Sequence, residues 1–231
     1  MRRFASLSLA LGVILVLSFA AVANAGSPEV WSWSTTPGQT IIDWITTASL
    51  QQFDTQGGTR ELTGVQIDMS SVITLQAGIE NLTNQMANMS YSLDVATTVK
   101  RNGTVLTDKH LVKNESPIAL AARDGNIDWA GPAGHTWTYA PVTLIANTYN
   151  APTSEFAAYT GTGYIDFNVS AVTASWVPRS DVGSMAAYFV ADVPTTVVVT
   201  YTYEMIPEPA SILAFGSGMI SLIGFALKRR A

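Results

Sequence analysis

No cysteine occurs anywhere in the 231 residues. That excludes disulfide staples, thiolate metal sites and cysteine nucleophiles together. Histidine is almost as scarce, with only His110 and His135. Neither sits in a metal-ligand spacing or beside an obvious nucleophile, so a satisfied or solvent-facing role is the simpler reading for both. No nucleophile elbow, phosphate-cradling glycine loop or H-E-x-x-H stretch appears, and the common catalytic frameworks are missing with them. Charged residues make up only 13% of the chain, and basic ones are the scarcer kind. Five of the 12 basic side chains (Arg2, Arg3, Lys228, Arg229 and Arg230) lie at the two ends. Residues 26–206 therefore hold seven basic against 16 acidic side chains, a net of −9. Such a balance keeps a domain soluble and argues against nucleic acid or anionic lipid as a partner.

What is present is concentrated first at the ends. Arg2 and Arg3 precede an apolar run from Leu7 to Val22, and Ala23-Asn24-Ala25 forms an A-x-A signature. This is the layout of a secretory signal peptide over residues 1–25, cut after Ala25, and it implies the Sec translocon as a partner. At the other end, 18 uncharged residues from Ala210 to Leu227 are followed by Lys228-Arg229-Arg230. A helix of that length, at about 1.5 Å per residue, reaches roughly 27 Å and just crosses a hydrocarbon core. The basic triplet predicts that the extreme C-terminus stays cytoplasmic. Between the ends, 26–206 is long enough to bury one core without staples.

The interior shows alternation in place of helical periodicity. In 195–205, Val197, Val199, Tyr201, Tyr203 and Met205 alternate with Thr196, Thr200, Thr202 and Glu204. Residues 163–172 and 64–70 alternate in the same way, and 41–50, 72–80, 89–100, 104–112, 136–145 and 185–191 are further strand candidates. Gly57-Gly58, Asn102-Gly103, Asp124-Gly125-Asn126, Gly161-Thr162-Gly163 and Val193-Pro194 punctuate them. Asn102-Gly103 predicts a two-residue type I′ hairpin. Only 117–123 reads as helical, for a turn or two. The expectation is an all-β fold, an antiparallel β-sandwich of jelly-roll-like or Ig-like form, flanked by the signal peptide and a C-terminal transmembrane helix over 210–227.

Chemistry is thin in this interior. Asp124, Asn126 and Asp128 fall at i, i+2 and i+4, as in the first half of a calcium loop. Trp129 stands where such a loop needs glycine and His135 where it needs a bidentate Glu, which removes the EF-hand reading and leaves these residues as weak metal candidates beside a plain turn. No cofactor is expected. Trp31 and Trp33 lie on one side of a short strand and are the candidate glycan contacts; the plainer reading has them covering a sheet edge, with Trp44, Trp137 and Trp176 in the core. Five Asn-x-Ser/Thr sequons reflect a composition rich in Asn and Thr.

Pro207-Glu208-Pro209, the uncharged span and the Lys-Arg-Arg end together resemble the PEP-CTERM sorting signal of Gram-negative bacteria, over about the last 25 residues (207–231). That resemblance implies recognition by an exosortase, a membrane-embedded cysteine protease/transpeptidase that cuts near the motif and passes the protein to the cell surface, in species that make exopolysaccharide. The stretches "LQQFDTQGGTRELTGVQI", "YTGTGYIDFNVSA" and "VVVTYTYE" are similar to the choice-of-anchor E type of domain, which implies an anchored extracellular module and no enzymatic activity. The region from Gly57 to Glu61 is looser than that type implies. The expected role is structural or interactive, at the cell surface or in an extracellular matrix, after transient membrane association; a carbohydrate-binding or adhesive module is the alternative. A surface hydrolase would need a carboxylate pair assembled by the fold.

Overall fold

The computed structural model describes residues 26–35 and 42–206. Ala23, Ala25, the Pro207-Glu208-Pro209 motif, the apolar span and Lys228 to Arg230 lie outside the described residues. Among the described residues no helix is long and apolar enough to cross a membrane.

Among the described residues alternation becomes eleven strands: β1 (Glu29–Ser34), β2 (Trp44–Gln51), β3 (Arg60–Asn81), β4 (Ala87–Arg101), β5 (Thr104–Leu120), β6 (Gly134–Thr138), β7 (Val142–Ile145), β8 (Tyr149–Asn150), β9 (Tyr164–Ser180), β10 (Met185–Asp192) and β11 (Thr195–Met205). They form two antiparallel sheets, one of seven strands and one of four in the order β2-β9-β4-β5. β3, 22 residues long, is the spine of the larger sheet. Along one side of it run β11 and then β10, from Met205 opposite Arg60 to Met185 opposite Asn81. Along its other side run β8, β7 and β6 in turn, and β1 closes the β11 edge.

The sheets face each other across one layer of apolar side chains, as a β-sandwich requires. Val65, Ile67, Met69, Ile73, Leu75, Ala77 and Ile79 of β3 all point into it, together with Val197, Val199 and Tyr201 of β11. The smaller sheet answers with Leu50, Leu93, Val95, Val99, Phe167 and Val169. Ser71 occupies the same inward phase, and its hydroxyl is satisfied by Thr195 Oγ1 at 2.9 Å. A buried hydroxyl with a partner costs little; without one it would cost about 1–3 kcal/mol.

The molecule has two ends with different contents. At one, the backbone N–H of Gly26 donates to Tyr203 O at 3.0 Å and that of Ile206 to Thr59 O at 2.8 Å. The first and last residues of the described domain thus leave side by side. β3 runs from this pole to the other, at most ~70 Å away if fully extended at roughly 3.3 Å per residue. At the far pole Asn81 Nδ2 donates to Gln85 O at 2.8 Å and Ala121 O at 2.7 Å, pinning the neighbouring loops to the end of β3.

Several boundaries differ from the sequence expectation, each for a local reason. The 64–70 and 72–80 candidates are one strand, because no turn residue breaks the inward phase at Ser70-Ser71. The helix expected at 117–123 is absent: β5 continues to Leu120, and Ile118 and Leu120 pack as alternate residues against Ile79, Ala87 and Met89. The short helix lies instead at Phe156–Tyr159, after a 3-10 turn at Thr153–Glu155. The 136–145 candidate divides into β6 and β7. Pro141 lies in that gap, and it has no N–H for a ladder. The Asn102-Gly103 hairpin is as expected, with φ of 50° and 81° at its two central residues.

Candidate functional site

At the far pole the alternation of β3 acquires a second meaning. From Gly64 to Gln76, beyond the bulge at Thr63, its even-numbered residues face outward and stay exposed or half-exposed, but Gly78 and Glu80, in the same outward phase, are buried. The excursion between β5 and β6 (residues 121–133) covers this end of the outer face. Tyr188 lies on Gly78, so closely that a Cβ there would sit 2.2 Å from the ring. Trp129 stacks edge-on against Tyr188 with centroids 4.7 Å apart.

Glu80 is held under this cover. The Trp129 backbone N–H donates to its Oε2 at 2.9 Å. Trp129 does so from a left-handed conformation (φ 59°), unusual for a large side chain. Its carbonyl accepts from Thr136 Oγ1 at 3.1 Å, which braces the turn. Gly134 fits beside the carboxylate because it lacks a side chain: a Cβ would lie 2.2 Å from Glu80 Oε2 and 2.6 Å from Ala130 N. Glu80 Oε1, also buried, has no hydrogen-bond partner.

Two exposed carboxylates stand beside it. Asp124 Oδ1 accepts the Asn126 N–H at 2.9 Å, and Asp128 Oδ1 accepts the Ala130 N–H at 3.0 Å. Both are Asx turns, which orient each carboxylate by its own backbone. One carboxylate oxygen from each of Glu80, Asp124 and Asp128 lies within 4.8 Å of the others. Burial raises the pKa of Glu80 first, the Trp129 N–H opposes this, and the charges of Asp124 and Asp128 raise it further. Among the described residues this is the group of side chains that could hold a metal ion.

Sequence spacing found Asp124, Asn126 and Asp128 and missed Glu80, which lies 44 residues before Asp124 in the chain. The strand carried no signal for it: on an outward phase that already holds Gly64, Gln66, Asp68 and Gln76, Gly78 and Glu80 read as ordinary solvent-facing residues. Trp31 and Trp33 share β1, opposite Val199 and Val197. Trp33 packs against the core and Trp31 is 39% exposed, so the pair covers the edge of the sandwich. Trp44, Trp137 and Trp176 are half-buried against the core. His110 Nδ1 lies 2.8 Å from Asp94 Oδ1 on the surface, and His135 sits edge-on to Trp137 with centroids 4.5 Å apart.

No protein-family model matches the chain, and no curated protein matches it. Among solved structures it aligns with that of infectious bursal disease virus, Gx strain, at 14% identity and a TM-score of 0.17, over 81% of this chain and 44% of that one. It aligns with the T=1 particles derived from infectious bursal virus at 12% identity and a TM-score of 0.19, over 89% and 49%. The VP2 subviral particle of the same virus gives 14% and 0.17, over 90% and 50%. The chain thus spans half, or less, of the length of these structures. Superposition at such scores is too loose to define a shared fold.

Proposed function

We propose that this chain is an exported, exosortase-processed protein of the cell surface or extracellular matrix of a Gram-negative bacterium. Its role is structural or interactive, associated with exopolysaccharide or biofilm, and not catalytic. Its exported domain is a β-sandwich of the choice-of-anchor E type, and its partners in transit are the Sec translocon and the exosortase. The observation that carries the reading is the pairing of the ends. Gly26 is bonded to Tyr203, and Ile206 to Thr59, so both targeting segments join the domain at one pole. Such an arrangement suits a domain threaded out by one end and held briefly at the membrane by the other, because the rest of the sandwich then stands clear of the membrane. Pro207 and Pro209 lack a backbone N–H and cannot prolong the ladder of β11, which ends at Met205, so the sequence sets the Pro-Glu-Pro motif apart from the domain, where a protease could reach it.

Mass spectrometry of the surface pool tests this. The expected result is a mature protein beginning at Gly26 and ending near Pro207-Glu208-Pro209. Recovery of intact peptides carrying Lys228 to Arg230 from most of that pool would overturn the processing step in favour of a permanent anchor.

A further inference from the structure

We propose that Glu80, Asp124 and Asp128 bind one calcium ion, clasped between the end of β3 and the loop that covers it. Acidic residues cluster on many surfaces without a ligand. Here the cluster contains a carboxylate that is wholly buried, and its Oε1 has no hydrogen-bond donor. A buried carboxylate with a single hydrogen-bond donor is costly, and the protein retains this one under Trp129 and Tyr188, beside the side-chain-free position of Gly134. Asp124 and Asp128 bring further negative charge towards it, which worsens the cost unless a cation completes the group. A cation in contact with Oε1 supplies the missing partner.

The donor chemistry selects the ion. All three groups offer hard carboxylate oxygens, with no sulfur or imidazole among them. Calcium binds such oxygens at about 2.3–2.6 Å in flexible geometry, so two oxygens on one ion can stand up to ~5 Å apart. The three oxygens lie within 4.8 Å of one another, inside that limit. Magnesium demands near-ideal octahedral geometry at about 2.0–2.1 Å and gives up its waters reluctantly, which a site of three carboxylates on a loop and a strand end does not favour. Asp124 and Asp128 are exposed, which leaves one side open for the waters that complete six to eight ligands. Asn126 sets Asp124 through its backbone N–H. Three protein carboxylates, two of them exposed, place the affinity in the range of about 10⁻⁴–10⁻³ M typical of extracellular modules.

The test uses the full-length chain purified in mild detergent, stripped with chelator, and followed by thermal unfolding and titration calorimetry. Calcium at ten times its dissociation constant should raise Tm by roughly 3–6 °C, and magnesium at the same concentration by clearly less. Glu80→Gln, near-isosteric and neutral, should abolish the calcium shift. Should that variant fail to fold, Asp124→Asn/Asp128→Asn alters only exposed positions and should remove most of the shift. Terbium, a luminescent calcium surrogate, should emit under indole excitation because Trp129 adjoins the site. Trp129→Phe should dim that emission and leave a calcium shift in place. No heat and no Tm shift at 10 mM calcium, or an equal shift in the Asp124→Asn/Asp128→Asn variant, would overturn the proposal. The site does not depend on how the ends are processed, so its failure would leave the export reading untouched.

Discussion

Arg60 is the residue whose replacement most directly tests how the pole bearing both chain ends is held. Its side chain is 5% exposed and its guanidinium lies 4.5 Å from the Phe53 ring centroid and 4.3 Å from that of Tyr203. Nη2 stands 2.6 Å from Glu29 Oε1 but out of line for a hydrogen bond, and Nε has no acceptor. The contact is an ion pair, not a directed bidentate bridge. Three segments meet on this cation: β1 through Glu29, the approach to β3 through Phe53, and the exit of β11 through Tyr203. Breaking a fully buried pair costs about 3–5 kcal/mol, but Glu29 is 30% exposed, so solvent screening cuts its share to about 1 kcal/mol or less. Two aromatic faces around a desolvated guanidinium contribute about 1–2 kcal/mol, and the buried stem adds apolar contact. Arg60→Ala should therefore cost about 2–4 kcal/mol, a Tm decrease of roughly 5–15 °C for a domain of this size. Glu29→Gln should cost about 1 kcal/mol or less. Urea denaturation of the two variants and their double mutant measures both terms and their coupling. Equal losses for Arg60→Ala and Glu29→Gln would refute the reasoning, because the ion pair alone would then carry the joint.

Gly134→Ala should destabilise by about 1–3 kcal/mol in chelator, since its Cβ would overlap Glu80 Oε2 and Ala130 N; a neutral result by thermal unfolding would show that the 121–133 cover yields freely. Phe53→Ala, at a fully buried position between Tyr201 and Tyr203, should cost about 3–5 kcal/mol, read as a lower urea midpoint with unchanged slope. Alkaline pH should unfold the domain: burial pushes the Tyr159 hydroxyl up from 10.0 to about 12 and raises those of Tyr91, Tyr139, Tyr149 and Tyr201. The folded state then keeps protons that the unfolded chain releases, so stability is full below pH 10, falls as pH rises through the folded values, and should be seen as cooperative loss of near-ultraviolet dichroism. Asp181 behaves oppositely at low pH. The Asn88 side-chain amide and then its backbone N–H hold its carboxyl below 3.8, so that contribution is present above the unfolded value and is lost as pH falls through the folded one. Asn88→Ala should flatten the acid limb of a pH–Tm curve.

Most of the sandwich was legible because its physics is local. A strand with one face in a core must alternate, and β9 and β11 do so in plain view. β3 was legible too, once Ser71 is recognised as an inward residue with a hydroxyl partner and not as a break. Pro117 to Arg123 misled because Ile118, Leu120 and the alanines suit both a helical turn and a period-two strand over so short a run. The arbiter was β4, whose Met89 pairs with Ile118, and a pairing partner cannot be read from the segment itself.

Glu80 shows the same limit at the candidate site. Asp124 and Asp128 advertise themselves by spacing, since their Asx turns are made within a few residues. Glu80 joins them only because β5 extends past its expected end and launches the 121–133 loop from the far pole, back over the outer face of β3. The error about 117–123 and the omission of Glu80 are therefore one error: a helix there would have turned the chain elsewhere and left the outward side of Glu80 in water. The same long strands separate the two poles, with the chain ends at one and the carboxylates at the other. If the ends mark the side facing the membrane, the acidic loop stands at the greatest reach the fold allows. A cation that tightens the 121–133 loop would then act on the surface that first meets the surroundings of the cell, and would leave the joint at Arg60 undisturbed.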